Sequence, residues 1–495
     1  MTPPVSFHQS LDRLLAAHPA TRRLLVGYSG GMDSHVLLHL LAMGRARWPE
    51  RILEAVYVHH GLHAAAAAWG EHCGAVCREL GVPFRILRVN AAPAPGASPE
   101  AAARHARYAA LAAELGPDAA LLTAHHRDDQ AETLLLQLVR GAGPHGLAAM
   151  PMVARLGPGG LWRPLLDRDR AELRAYADEH ALRWIEDPSN DHTDFDRNYL
   201  RHRILPLLRE RWPAANRTLA RSARWCAETT AGLDAEADAD LAGVATDRTD
   251  SLSLPALRRL SEPRQRNLLR YWLRRLHLPM PNARQMAQLL HDTLSAARDR
   301  NPCMRWPGAE LRRYRDGLYA LPPLPPHDAG QLRVWRSAAA GWPPLELPGI
   351  GTLEWRETVG AGLRRAALAK GALCVGFRQG GERFQPAGRS GSQELKKLLQ
   401  EAGIPPWERE RLPLVYGAGH ESAVGQGRAS NPPGATRQPS LVREQLTGCR
   451  LLAVVGLGVA ADQAAAPGEP GWELVLQSPP AARLTDNTFS AAGSR

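Results

Sequence analysis

The chain has 495 residues, 44% hydrophobic and 22% charged, enough for about two to four domains that each bury a core. No uncharged apolar run reaches the roughly 18 residues of a membrane span, Met1–Leu15 holds no unbroken apolar leader core, and six scattered cysteines make no disulfide framework. These features argue against a membrane or disulfide-scaffold protein and predict a cytoplasmic one, while a net charge of +11, almost all from Arg, points to a polyanionic partner.

In chain order, the apolar run Leu24–Tyr28 predicts a strand that passes directly into Ser29-Gly30-Gly31-Met32-Asp33-Ser34. Paired glycines let the backbone turn sharply and approach a ligand, and the helix opening at Asp33 offers unpaired N–H groups and the positive end of its dipole to an anion. Val36, Leu37, Leu40 and Leu41 recur at helical spacing, and Gly44 can end that helix. A strand over Leu53–His59, a helix over Trp69–Leu80, a strand over Phe84–Val89, an Ala-rich helix over Pro99–Leu115 and a strand over Ala119–Thr123 follow. The alternation predicts an α/β fold with a doubly wound, mostly parallel sheet. Ligands in such sheets bind beyond the carboxyl ends of strands, so Ser29, His59-His60-Gly61 and His125-His126 converge there.

The glycine turn is not a Walker loop, which needs a Lys after its second glycine; here no Lys precedes Lys370. Ser-Gly-Gly-x-Asp-Ser resembles instead the PP-loop of the ATP pyrophosphatases, which implies attack on the α-phosphate of ATP, adenylation, and pyrophosphate as leaving group. The second constellation is His125-His126-Arg127-Asp128-Asp129-Gln130-Ala131-Glu132-Thr133. Asp129 and Glu132, three apart at a helix start, share one face, where they can hold Mg²⁺, receive a cationic amine, or complement the helix dipole. The two His pairs lack companion ligands at zinc spacing, so no zinc is expected. Cys73 and Cys77, one turn apart, read as packed small hydrophobes.

Further on, Arg197-Asn198-Tyr199-Leu200-Arg201-His202-Arg203, continuing to Arg209 and Arg211, and the run Arg264–Arg275 are dense in cations. Either can be a solvated helix face; with the net charge they favour nucleic acid. Several segments are together similar to the tRNA(Ile)-lysidine synthetase family: the PP-loop, Val58–Leu62, Ala103–Tyr108, His125–Thr133, Arg140–Leu147, Arg163–Leu166, Asp187–Asn190 with Arg197–Arg201, Phe377–Phe384, and Leu395–Glu401 with Pro405-Pro406-Trp407. The resemblance implies a two-step reaction on a CAU-anticodon tRNA(Ile). ATP adenylates the 2-oxo group of the wobble cytidine, then the ε-amine of L-lysine attacks carbon 2 and expels AMP. The product, lysidine, switches decoding to AUA and aminoacylation identity to isoleucine.

It further implies that Ser29, Gly30, Gly31, Met32, Asp33, Ser34, His60 and His125 bind ATP, with Asp33 facing Mg²⁺. Asp129, Glu132, Arg197, Asn198 and Arg201 serve lysine, with Asp33, Asp129, Glu132 and Arg201 as the catalytic set. Arg378, Arg383, Lys396 and Lys397 contact tRNA phosphates, although apart from the resemblance two adjacent Lys read as a solubilising face. A homodimer is compatible with it.

The expected domains are a catalytic PP-loop domain over 1–218, a helical tRNA-binding domain over 219–320, a Pro-rich linker over 321–344 and an α+β tRNA-binding domain over 345–478. Within the last, a Gly/Ser/Pro/Gln-rich insertion spans about 417–450, and 479–495 reads as a disordered tail. Two other readings share the loop. A tRNA thiolase needs reactive or cluster-binding cysteines, often as Cys-x-x-Cys, and none is spaced so. A nucleotide-regulated RNA-binding protein would release no AMP.

Overall fold

Leu24, Leu25 and Val26 are apolar on both faces of their strand and wholly buried, which is possible only at the centre of a sheet covered on both sides. The computed structural model describes residues 6–59, 61, 65–90, 99–188, 192–293, 301–338, 341–368, 372–417, 446 and 448–477. His60, most of the 417–450 insertion and the 479–495 tail lie outside them. The chain divides into two units, Met1–Ala235 and Glu236–Arg495.

The first unit runs α1 (Phe7–Ala16), β1 (Arg23–Gly27), α2 (Met32–Gly44), β2 (Ile52–His59), α3 (Ala66–Glu79), β3 (Phe84–Arg88), α4 (Pro99–Ala113), β4 (Ala119–Leu122), α5 (Arg127–Val139) and α6 (Pro144–Leu147). It continues with β5 (Val153–Leu156), β6 (Gly159–Trp162), α7 (Arg170–Glu179), α8 (Asp196–Tyr199), a π turn over Leu200–Ile204, α9 (Leu205–Arg211) and α10 (Ala215–Val244), which crosses the unit boundary. The sheet order is β3-β2-β1-β4-β6-β5, parallel except for β5. The doubly wound, mostly parallel α/β reading therefore stands, and a β5–β6 hairpin on the β4 side extends it. Both strands are four residues long and Gly-rich between, too short to show a period.

One sheet face packs Leu24, Val26, Leu37, Leu41, Cys73 and Cys77 into a core, and the other packs Leu25, Val56, Leu111 and Leu121. α2 is buried nearly all round, a central helix with neighbours on every side. Because β1 and β4 are adjacent and parallel, the loops after them, and with them Asp33 and Asp129, open at the same edge.

The second unit contains β7 (Ser251–Ser253), α11 (Leu254–Leu257), α12 (Glu262–Arg275), α13 (Ala283–Gln288), β8 (Cys303–Trp306), β9 (Ala309–Tyr314) and β10 (Gly317–Leu321). Their core joins Leu268, Leu269, Trp272 and Leu273 of α12 to Leu311 and Leu318 of an antiparallel sheet ordered β7-β10-β9-β8. The helices match the helical reading of this stretch, but the sheet is additional to it. Arg305 and Arg312 interrupt its short apolar pattern.

β11 (Arg333–Arg336) lies inside the stretch read as linker. Its Trp335 is buried in the C-terminal core, so the Pro-rich segment gives way to structure sooner than composition suggests. Then come β12 (Leu345–Leu347), β13 (Gly351–Val359), β14 (Leu363–Arg364), β15 (Ala372–Gly376), β16 (Arg383–Phe384), β17 (Gln393–Glu394), α14 (Leu395–Glu401) and α15 (Pro406–Arg409). β18 (Leu414–Gly417), β19 (Arg450–Val454), β20 (Gly458–Val459) and β21 (Pro470–Gln477) complete the chain. β18 and β19, on either side of the insertion, pair directly with one bulge at Val415/Tyr416, so the insertion interrupts a hairpin connection and leaves the ladder closed.

Gly30 shows why the loop after β1 needs glycine. Its φ is +84°, and a Cβ would lie 2.7 Å from Ile185 Cδ1 and 3.1 Å from Cys73 Sγ. Ile185 N–H also donates to Gly30 O at 2.9 Å, so the segment before α8 lies directly on the loop. Gly30→Ala is expected to lower stability by about 1–3 kcal/mol, read as an earlier midpoint in urea; an unchanged midpoint would refute this packing.

Candidate active site

The loop after β1 is held by its own hydroxyls. Ser29 Oγ and Ser34 Oγ lie 3.0 Å apart, Ser34 Oγ donates to Gly31 O at 2.9 Å, and Ser29 N–H donates to Ser34 Oγ at 3.3 Å. Gly31 caps α2 without any side-chain hydrogen bond to its first N–H groups, which leaves those donors to an anion. The Met32 side chain is buried in the core, so only its backbone can serve a nucleotide. Asp33, in the first turn, has Oδ1 buried without a hydrogen-bond partner, with Arg170 Nε 3.9 Å from it.

The second cluster grows from α5. Asp129 and Glu132 face Arg197 and Arg201, which stand four apart on α8 and the π turn and so share a face. Arg197 reaches Glu132 Oε2 at 2.7 Å and Asp129 Oδ1 at 3.0 Å. Arg201 reaches Glu132 Oε1 at 2.6 Å, Glu132 Oε2 at 2.9 Å and Asp129 Oδ1 at 3.3 Å. The side chains are 10% (Asp129), 1% (Glu132), 22% (Arg197) and 31% (Arg201) exposed. Glu132 is thus sealed behind the guanidinium groups, and Arg197 and Arg201 are the more exposed members of the cluster.

His126, placed from sequence at the ligand edge beside His125 but given no role there, joins the two clusters. Its Nε2 lies 3.6 Å from Asp33 Oδ2 and 3.5 Å from Asp129 Oδ2, and its backbone N–H donates to Asp129 Oδ2 at 2.9 Å. Its Nδ1 is buried without a hydrogen-bond partner, like Asp33 Oδ1; two such atoms in one site mark it as built for a polar ligand. The available signal was positional: a residue just before a helix, with Asp three later, occupies the cap. Burial opposes the charged ring, but hydrogen bonding to Asp33 and the charges of Asp129, Asp33 and Asp128 outweigh it and raise the His126 pKa. His125 behaves oppositely. Its Nδ1 lies 2.9 Å from Thr123 Oγ1, and burial with the charges of Arg163, Arg197 and Arg107 overcomes the pull of Asp129 and depresses its pKa to about 3. Asp129 titrates at about 2, because the charges of His126, Arg197 and His125 and the His126 N–H overcome its burial.

Of the other expected residues, Asn198 Nδ2 donates to His192 O at 2.9 Å and braces its own loop, and His59 Nδ1 accepts from Gly61 N–H at 3.2 Å. In the second unit Lys396 and Lys397 are exposed on α14, and exposed Arg383 donates to Ser392 O at 2.6 Å. Arg378 is half-buried beside Glu382. Cys73 and Cys77 are buried, and burial pushes both thiols up to about 12. Among the described residues no helix is long and apolar enough to cross a membrane.

A glycine loop opening a central helix at the carboxyl edge of a parallel sheet, next to an acid–guanidinium cluster, defines a PP-loop nucleotide-using enzyme. Residues 3–208 match the PP-loop domain family, 252–319 the TilS substrate binding domain and 373–441 the TilS substrate C-terminal domain. The chain is 45% identical over 437 residues to the tRNA(Ile)-lysidine synthase of Methylococcus capsulatus, covering 88% of this chain and 98% of that protein. It is 39% identical to that of Coxiella burnetii, covering 95% and 97%, and 46% identical to that of Pseudomonas aeruginosa, covering 85% and 93%. The chain belongs to the tRNA(Ile)-lysidine synthase family.

Two outcomes follow from this geometry. Glu132→Gln removes the charge that two half-exposed guanidinium groups share, and is expected to cost about 1–3 kcal/mol in urea unfolding; no loss would refute the bracing. His125 binds its proton less readily folded (about 3) than unfolded (about 6.5), so its contribution is complete above pH 6.5 and is lost as pH falls toward 3. His125→Asn is therefore expected to flatten the fall in stability between pH 6.5 and 4, followed by thermal melts; an unchanged slope would contradict it.

Proposed function

We propose that this protein carries out ATP-dependent lysidine formation at the wobble cytidine of CAU-anticodon tRNA(Ile), in the cytoplasm, with L-lysine as the acceptor. The observation that carries the reading is His126, which sits between Asp33 of the nucleotide loop and Asp129 of the acid–guanidinium cluster. An activating nucleotide and an amine-bearing co-substrate are thereby brought to one strand edge, and family membership supplies the tRNA.

Ser29, Gly30, Gly31, Asp33 and Ser34 hold the pyrophosphate end of ATP through backbone N–H groups and hydroxyls. The orphaned Asp33 Oδ1 fits a Mg²⁺ ion, which keeps most of its ligands as water and phosphate; Asp33 would hold it, and it would offset charge on the departing pyrophosphate. No protein nucleophile is required.

The acid–guanidinium cluster suits a zwitterion: Asp129 faces the lysine ammonium, and Arg201, with Arg197, faces the carboxylate. Glu132 is too deeply buried to meet lysine and acts through the two arginines as a positioning residue. A carboxyl as acidic as Asp129 is a poor proton acceptor, so it fits holding the ammonium better than deprotonating it. Cys73 and Cys77, the cysteines packed behind the nucleotide loop, supply no thiolate at neutral pH, because burial pushes both thiols up to about 12.

The test is incubation of the purified protein with ATP, labelled lysine and CAU-anticodon tRNA. Label is expected to enter the RNA only with ATP and a wobble cytidine, with AMP released; no incorporation by a preparation that binds ATP would overturn the proposal. In the same assay Asp129→Asn is expected to raise the lysine KM about tenfold or more, with the ATP KM within about twofold. A KM for lysine that did not move would remove Asp129 from the lysine site.

A further inference from the structure

The second unit holds a cavity of about 560 Å³, lined by none of the residues of the site described above and within the size range of small-ligand sites. Its lining is rich in guanidinium groups, with Arg312, Arg378 and Arg411 against a single carboxylate, Glu410. Two of them are fixed before any ligand arrives. Arg312 donates through Nε, at 3.0 Å, to Oε1 of the buried Glu310 and pairs with it through Nη2 at 2.8 Å; Arg411 donates to Pro325 O at 2.9 Å and to Gly349 O at 2.7 Å.

Arg378 is different. Its Nε is buried with no hydrogen-bond partner, and its carboxylate neighbour, Glu382, is 4.0 Å away. Glu382 is turned to the Gly380 N–H, which it accepts at 2.9 and 3.1 Å. A buried guanidinium donor left unmet is costly, and a phosphate oxygen satisfies it.

The cavity also has a stacking wall. Trp407 lines it, with the Arg312 guanidinium 5.1 Å over its ring centroid, and nucleobases stack on indole and guanidinium planes alike. His327, whose pKa is lowered by burial and by the Arg411 charge, adds a neutral ring.

We propose that this cavity binds one nucleotide unit, its base against Trp407 and Arg312 and its phosphate on Arg378 and Arg411. The chemistry is shared by an unpaired nucleotide of the tRNA and by a free nucleotide; the tRNA source rests on the function proposed above.

The test is photo-crosslinking of the full-length protein with two probes, tRNA(Ile) carrying 4-thiouridine and 8-azido-AMP, with mass spectrometry of the labelled peptides. Label on 377–380 or 405–411 is expected. Label from the tRNA probe identifies an RNA nucleotide, and label from 8-azido-AMP alone identifies a free one. Trp407→Leu and Arg378→Gln should each weaken binding of the labelling probe about tenfold, while Trp407→Phe keeps it within about twofold. If Trp407→Leu does not fold, shown by its melt, Arg378→Gln decides. Absence of label on both segments, or wild-type affinity in Arg378→Gln, would overturn the inference. Lysine incorporation is read on the same wild-type preparation. Incorporation without label sinks only this site, whereas no incorporation sinks the function.

Discussion

Two guanidinium groups reach the buried Glu132 carboxylate from another stretch of the chain, and much of the site depends on that contact. A carboxylate with 1% of its side chain exposed would destabilise the fold if left without partners. Arg197 and Arg201 prevent this, and in doing so tie α8 and the π turn to α5. Asp129, one turn earlier, shares the same arginines, and the charges of His126, Arg197 and His125 with the His126 backbone N–H make it strongly acidic. The cluster is near charge balance as a whole, yet each sign keeps a reachable member, which is the arrangement a zwitterion requires.

The same contact reaches the nucleotide loop through His126. A raised imidazole pKa between Asp33 and Asp129 means that the two carboxylates share one cation. His125, one residue away, is kept neutral by its burial, with the arginines around it adding to the effect. Adjacent histidines are thus shifted in opposite directions: both are buried, but the carboxylates at His126 overcome that burial, whereas the guanidinium groups at His125 add to it. Glu132 therefore sets more than local stability, since displaced arginines would alter the field at both rings.

Contiguous features were the legible ones. The Ser29–Ser34 loop, the strand before it and the helix after it lie in one unbroken segment, and the strand–helix alternation carries the handedness and burial of a parallel sheet. Asp129, Glu132 and Arg201 could be named from motifs, but not that the guanidinium groups cover Glu132, because residues about 70 apart meet only through the tertiary fold. His126 was hidden next to a similar residue, His125, and only the capping geometry separates them. Short strands escaped for another reason. β5, β6 and β11 have four residues each, and β8 and β9 carry arginines whose long stems cover apolar neighbours while their charges break the alternation.

Charge was the least transferable reading. The run Arg264–Arg275 looks in sequence like a nucleic-acid surface, but several of its cations have internal partners. Arg264 pairs with Asp240 and Glu236, Arg266 pairs with Glu262, and Arg275 pairs with Asp238, which also accepts from Tyr271. The acids at 236, 238 and 240 lie on the last turns of α10, so this run helps hold α12 to α10. Net charge counts cations without saying where they point. Arg378, with its buried Nε unbonded, carries more information about a polyanion than the densest arginine run, because its donor has no carboxylate close enough to satisfy it.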